Sequence, residues 1–359
     1  MATMRHAEHI ADMLCLGGLR LLGALNMLLL AVFLATLVLL APKARAGDLP
    51  ECRGRNLVAE MGEQDPERLA TIRQKAAGTA NGTGLLWRVE KAGTRPSWLF
   101  GTMHLTDPRV IDLTPHARDA FEQAGTVVVE AVDALDPKAA AAALLQRPDL
   151  MMFTDGRKLS DLLEPDDRDR VASQLEKRGM PLMAVEHMKP WVVSSALALP
   201  ACEMARKQAG APFLDALLAQ DAKAAGKELL GLETIVSQLE AMNSLPLEAH
   251  VDGLVSTLAL GDRLDDAIET MIVLYEDEDL GMIWPVLEAI TPDQPGAEES
   301  YAAFEKIMVT TRNHGMVANA GPILDRGNAF IAVGALHLPG EEGVVELLRK
   351  AGYTVTRAE

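Results

Sequence analysis

The chain has 359 residues, a formal net charge of −17, 49% hydrophobic residues and only 4% aromatic ones. That apolar content supports one large folded domain or two modest ones and excludes a disordered chain. The acidic balance, with no basic stripe, basic tail or aromatic platform, excludes a nucleic-acid partner and charge-driven binding of the globular part to anionic lipid.

Residues 1–46 form a separate segment. Leu21 to Ala41 carries no charge, Arg20 stands before it, and Lys43-Ala44-Arg45-Ala46 follows. Ala44-x-Ala46 fits the small-residue pattern of a signal peptidase site, which would free Gly47 as a new N-terminus. The alternative is an uncleaved anchor, because an uncharged run over 21–41 is long enough to span a bilayer. Both readings place residues 47–359 in the periplasm or another extracytoplasmic compartment, free in the first case and tethered to the inner membrane in the second. Cys15 lies in this segment, leaving Cys52 and Cys202. An even pair in an oxidising compartment is a disulfide candidate, with two unpaired buried thiols as the alternative.

Past the leader, Cys52 to Thr79 is rich in helix formers and predicts a helical lead-in. "LLWRVEKA" and "SWLFGTM" carry strand residues separated by Gly93 and Pro96, the pattern of a hairpin. "DLTPHARDAFEQAG" predicts a short helix capped by Thr114 with Pro115 in its first turn. "TVVVEAVDA" is a continuous apolar strand of the kind buried in a parallel sheet. Residues from about 137 to 210 and from about 246 to 325 read as helical insertions. Between them, "ELLGLE" predicts a short strand followed by a helix. The chain finishes with the strand "AFIAVGALH", the helix "EEGVVELLRKAG" and the strand "YTVTR". Strands alternating with helices at this spacing imply an α/β fold with a mixed, mostly parallel sheet under helical cover.

Ligands of open α/β sheets collect outside the carboxyl ends of the strands. Four predicted strands carry metal-capable side chains at or just past that end: His104 after "WLFGTM", Glu130 closing "TVVVE", Glu233 closing "LLGLE" and His337 after "FIAVGAL". Both histidines stand in a Gly-x-x-His unit, Gly101 to His104 and Gly334 to His337. A glycine at the strand terminus would let the backbone turn sharply and bring the imidazole over the sheet edge. Two imidazoles and two carboxylates form a mixed N/O set suited to Mn²⁺, Co²⁺ or Zn²⁺, and a carboxylate that does not ligate could serve as general base. Duller readings stay open for each residue. A histidine after a strand can be a plain hydrogen-bonding group, and Glu233 can be a helix-terminal charge. Glu130 is harder to dismiss, since a buried carboxylate needs a partner. Arg312 could clamp a substrate or form an ordinary ion pair with a local acid. His116, His187 and His250 have no paired ligand spacing. There is no His-Glu-x-x-His, Gly-x-Ser-x-Gly or phosphate loop.

The stretches "GLLWRVEKAGTRPSWLFGTMHLTDPRVIDL", "TVVVEAVD", "FLDALLAQDAKAAGKELLGLETIVSQLE", "TTRNHGMVANAGPIL" and "FIAVGALHLPGEEGVVELLRKAGYTV", in that order, resemble the TraB/GumN (TraB/PrgY/GumN) family. The resemblance implies kinship with the TIKI proteins, membrane-tethered metal-dependent proteases that favour Mn²⁺ or Co²⁺. It also implies kinship with erythromycin esterases and haem-binding ChaN-like lipoproteins, whose fold the 47–359 domain would share. By motif match it carries over His104 and His337, with Glu130, Glu233 and Arg312 beside them. "APFLD", Ala211 to Asp215, departs from the family pattern, which makes Asp215 a weaker inheritance. The resulting expectation is an exported metal-dependent hydrolase, most simply a peptidase. In it His104, His337 and one glutamate hold the ion, the other glutamate is the base and Arg312 orients a peptide or small-molecule substrate. The rivals are a non-catalytic binding protein for haem or a similar ligand and an accessory factor in polysaccharide or peptide-signal handling.

Overall fold

The hydrophobic runs resolve into six strands of one sheet in a computed structural model that describes residues 50–291 and 297–358. The predicted leader over 1–46 lies outside the described residues. Among the described residues no helix is long and apolar enough to cross a membrane.

The strands are β1 (Leu86–Glu90), β2 (Ser97–Thr102), β3 (Thr126–Val129), β4 (Glu228–Gly231), β5 (Ala329–Gly334) and β6 (Thr354–Arg357), in the order β4-β3-β5-β2-β1-β6. β4, β3, β5 and β2 are mutually parallel, and β1 runs antiparallel to both β2 and β6. The β1–β2 hairpin follows from its turn. Gly93 takes φ 83°, a left-handed conformation a Cβ would resist. β5 is the second-last strand in sequence but is inserted between β3 and β2, where both faces are covered. Its residues accordingly read as the unbroken apolar run "AFIAV", all of it buried. Phe330 on β5 stacks on Phe100 of β2 with centroids 5.9 Å apart and meets the edge of Phe121 at 5.6 Å. These aromatic contacts tie β5 to its neighbour and to the helix Pro115–Gln123.

Local chemistry decides where helices begin. The lead-in is two helices rather than one, Leu57–Gln64 and Pro66–Ala77. Asp65 ends the first and caps the second by accepting from the Arg68 amide at 3.0 Å, with Pro66 at the first helical position. Thr114 caps Pro115–Gln123 as its sequence predicts, accepting from the Ala117 amide. The inserted segments are helical, and part of them closes on a small core of its own. Leu159, Val171, Leu175, Val185, Val193, Leu197 and Leu254 cluster there, separate from the core on the sheet.

Residues 50–204 and 212–358 form one unit. Residues 205–211, which finish the helix Ala201–Gln208 and the turn at Gly210, group apart from it. Within the larger unit Cys52 and Cys202 are joined by a disulfide, 150 positions apart in sequence with Cα atoms 5.3 Å apart. Closing so long a loop removes much freedom from the unfolded chain. Replacing both cysteines by serine should lower the unfolding free energy by about 2–5 kcal/mol, measured from urea midpoints under oxidising conditions. An unchanged midpoint would show that the bond contributes nothing.

Candidate active site

The four parallel strands end side by side, and their order fixes the order of the side chains beyond them. Across the edge come Glu233 after β4, Glu130 after β3, His337 after β5 and His104 after β2. The register aligns Val129 with Gly231 and Thr102 with Gly334, so the residues that follow leave the sheet at matching heights. Acids therefore occupy one half of the edge and imidazoles the other, with Glu130 and His337 meeting at the middle.

Arg312 binds the acidic half. It opens the α-helix Arg312–Leu324, directly after a π-helical segment, Glu305–Thr311. Its Nη2 donates to Glu130 Oε2 at 2.7 Å and to Glu233 Oε2 at 2.6 Å, and its Nε reaches both Glu233 oxygens at 3.1 Å. Gln238, on the helix Ile235–Asn243 that follows Glu233, donates Nε2 to Glu130 Oε2 at 3.0 Å and to Glu233 Oε2 at 3.3 Å. The Gly334 amide donates to Glu130 Oε1 at 2.6 Å. Burial alone would raise the Glu130 pKa. Positive charge on His337, His104 and Arg312, together with the Gly334 N–H, outweighs burial and holds it at about 2. Arg312 shows the same balance: burial opposes its charge, and its bonds to Glu233 and Glu130 raise its pKa regardless.

The imidazoles are held differently. His337 is buried, and its Nδ1 lies 2.6 Å from Asn313 Oδ1. Its Nε2 faces Glu130 Oε1 at 3.8 Å, beyond hydrogen-bond range. His104 has a half-exposed side chain, 51% accessible, stands at the edge of the Phe213 ring, and faces Asp215 Oδ2 at 3.6 Å. Asp215 is buried in the first turn of Leu214–Ala224. Its Oδ1 accepts from Thr102 Oγ1 at 3.1 Å, while its buried Oδ2 has no hydrogen-bond partner. His104 is also close enough to act electrostatically on both Glu130 and His337.

The glycines of the two Gly-x-x-His units serve a different purpose from the one expected. Neither has positive φ, so neither supplies a special turn. A Cβ on Gly101 would meet Leu338 Cδ1 at 2.8 Å and Ala335 Cα at 3.0 Å, and one on Gly334 would meet Glu130 Oε1 at 3.1 Å. They are needed for close approach: Gly101 lets the turn after β5 pack against β2, and Gly334 lets the carboxylate reach its amide.

His104, Glu130, Glu233, His337, Arg312 and Asp215 all lie at this edge, and Arg312 forms the ion pair with local acids that was its alternative reading. Glu233 is turned to Arg312 and Gln238 rather than to the histidines, and the Arg312 guanidinium is spent on the two glutamates. Among the described residues no three His, Cys, Asp or Glu side chains stand ready to hold a metal ion. The donors come instead as two facing pairs, His337 with Glu130 and His104 with Asp215. Asp215 thus takes a larger place than its sequence context earned. Asn313 and Gln238 went unmarked, since an amide next to a charged residue or inside an amphipathic helix leaves no distinctive pattern. Two surface cavities, the larger about 530 Å³ and lined by Arg68, Lys75 and Arg263 among others, include none of these side chains.

The model of the TraB/PrgY/gumN family matches residues 85–357, which takes in all six strands and every side chain of this edge. The chain belongs to the TraB/PrgY/gumN family. Among curated proteins it is similar to Metalloprotease TIKI1 of Danio rerio, 27% identical over 75% of this chain and 62% of that protein. It is similar as well to Metalloprotease TIKI1 of Homo sapiens, 27% identical over 80% of this chain and 66% of that protein. Metalloprotease TIKI2 of Danio rerio is 26% identical over 75% of this chain and 60% of its own length. The chain thus spans under two thirds of the length of these relatives. No solved structure matches it.

This family member should carry a pH signature of the buried imidazole. Burial lowers the His337 pKa from 6.5 to about 4, with Arg312 and His104 adding to the effect and Glu130 opposing it. The unfolded chain therefore takes up the proton first as pH falls. The stability held in the neutral ring is complete above about pH 6.5 and is lost on the way to pH 4, roughly 3 kcal/mol in all. Glu130 acts with the same sign in a lower window, below its ordinary 4.5 and down to about 2. Urea midpoints of metal-free protein between pH 7 and 4 should fall more steeply for the wild type than for His337→Gln. Parallel curves would contradict the assignment.

Proposed function

We propose that the chain is an extracytoplasmic metal-dependent hydrolase that cleaves peptide bonds at the carboxyl edge of its sheet. The observation that carries this reading is a buried imidazole and a buried carboxylate that face each other without a direct hydrogen bond. His337 Nε2 and Glu130 Oε1 stand 3.8 Å apart, too far to bond directly and close enough to share one cation. Asp215 Oδ2, buried and unbonded 3.6 Å from His104 Nε2, repeats the arrangement. A buried acceptor left unpaired is costly, and a cation would remove that cost for Asp215 Oδ2. Formal charge agrees: three carboxylates, Glu130, Glu233 and Asp215, stand at this edge with one guanidinium, which binds the first two, an excess that a divalent ion would neutralise. The similar proteins, all named metalloproteases, support the same chemistry.

The residues that fit the ion are His337, Glu130, His104 and Asp215, a mixed N/O set suited to Mn²⁺, Co²⁺ or Zn²⁺. When bound, the ion supplies a Lewis acid for the scissile carbonyl. Arg312 and Gln238 hold Glu130 in place and engage Glu233 as well, so Glu233 is not free to ligate. His104 would complete the second pair with Asp215, and its half-exposed side of the edge is where a peptide would gain access. A leader over 1–46, cut or retained as a tether, delivers the domain to its compartment.

Residues 47–359, stripped of metal and given back Mn²⁺, Co²⁺ or Zn²⁺ over a mixed peptide library, should show metal-dependent cleavage. His337→Ala and Glu130→Gln should each lower it by roughly 100-fold or more. Cleavage that survives both substitutions would place the centre elsewhere. Tight metal binding without any cleavage would replace the peptidase with a binding role.

A further inference from the structure

The bond between His337 and Asn313 has a consequence for where one proton resides. Asn313 is buried in the helix Arg312–Leu324, one residue after the guanidinium that binds Glu130. Its amide can be read only one way round. Nδ2 donates to the Glu342 carbonyl at 2.8 Å, and that oxygen can only accept. Oδ1 therefore faces His337, and at 2.6 Å the Nδ1 of the ring must be the donor. A neutral imidazole has one N–H, so Nε2 is left with its lone pair directed at the Glu130 carboxylate.

We propose that Asn313 is a positioning residue, one that commits His337 to the Nδ1–H tautomer and keeps Nε2 available as a donor to a cation. The Glu342 carbonyl sets the orientation of the amide, and the amide sets the tautomer of the ring. Without Asn313, the proton has a better place on Nε2, where Glu130 Oε1 would accept it once the ring closed the remaining gap. The ring would then offer no lone pair to the edge, and the histidine and glutamate would satisfy each other instead of an ion. The part of this inference that concerns the cation rests on the hydrolase reading; the placement of the proton does not.

The test uses metal-free protein labelled with ¹⁵N at histidine. Long-range ¹H–¹⁵N spectra at pH 7 report which nitrogen carries the proton. In the wild type, His337 should show a protonated Nδ1 and a bare Nε2. In Asn313→Ala the two should exchange, and in Asn313→Asp, which keeps an acceptor, the wild-type pattern should persist. Zn²⁺ affinity by titration calorimetry should fall about 10–100-fold in Asn313→Ala and remain near the wild-type value in Asn313→Asp. Near-UV circular dichroism checks the fold, and if the alanine variant does not fold the aspartate variant decides alone. A protonated Nε2 in the wild type or in Asn313→Asp, or an unchanged tautomer in a folded Asn313→Ala, would overturn the inference. A wild type that binds no Zn²⁺, Mn²⁺ or Co²⁺ would defeat the hydrolase reading, and the spectra would still decide the role of Asn313.

Discussion

A carboxylate buried at the end of a central strand has to be compensated, and Glu130 imposes that demand on everything around it. It lies just past β3, in the interior of the sheet edge, and is 6% exposed. The Arg312 guanidinium, the Gln238 amide and the Gly334 amide together supply its donors. Each comes from a different element. Satisfying one side chain therefore fixes the helix that begins at Arg312, the helix that follows β4, and the turn that leaves β5. Removing any one donor would leave a charge in a poorly solvated place, which is why such networks hold one geometry firmly.

The site inherits its layout from strand order rather than from chain order. β5 enters between β3 and β2, so Glu130 and His337, about two hundred residues apart in sequence, become neighbours. The same insertion places the two Gly-x-x-His units on adjacent strands. Their glycines clear space where a strand, a turn and a carboxylate crowd together. Rigid strands set the heights of the side chains, and the arginine helix ties the acidic half. His104 is the half-exposed member of the edge. An acidic half tied by Arg312 beside a half-exposed histidine is the arrangement that the proposed hydrolase would need.

Much of this was legible in the sequence. The strands carry long apolar or β-branched runs, their turns carry glycine and proline, and the helix cap at Thr114 follows known chemistry, whereas the break at Asp65-Pro66 in the lead-in does not stand out from its helix-forming neighbours. Chemistry-bearing residues at strand ends could be found because the carboxyl edge of a parallel sheet is where ligands gather. What could not be read was pairing. Nothing in the order of residues says that Arg312 is spent on Glu130 and Glu233, since one helix in an acidic chain has many possible partners. Asp215 sits in the first turn of a helix, where an acid is ordinary. Only the fold shows that one of its oxygens is buried and unbonded. Asn313 and Gln238 matter through a single amide orientation each, a property with no sequence periodicity. Local chemistry was visible, and long-range alliances were not.

The account stands on one claim, that the paired acceptors at the sheet edge share a divalent cation. Crystals grown with Mn²⁺ and measured at the manganese absorption edge test it directly. The expected result is one strong anomalous peak between His337 Nε2 and Glu130 Oε1, with His104 and Asp215 drawn toward it and Arg312 still on the two glutamates. A map with no peak there, or with the ion bound elsewhere and the edge unchanged, would contradict it.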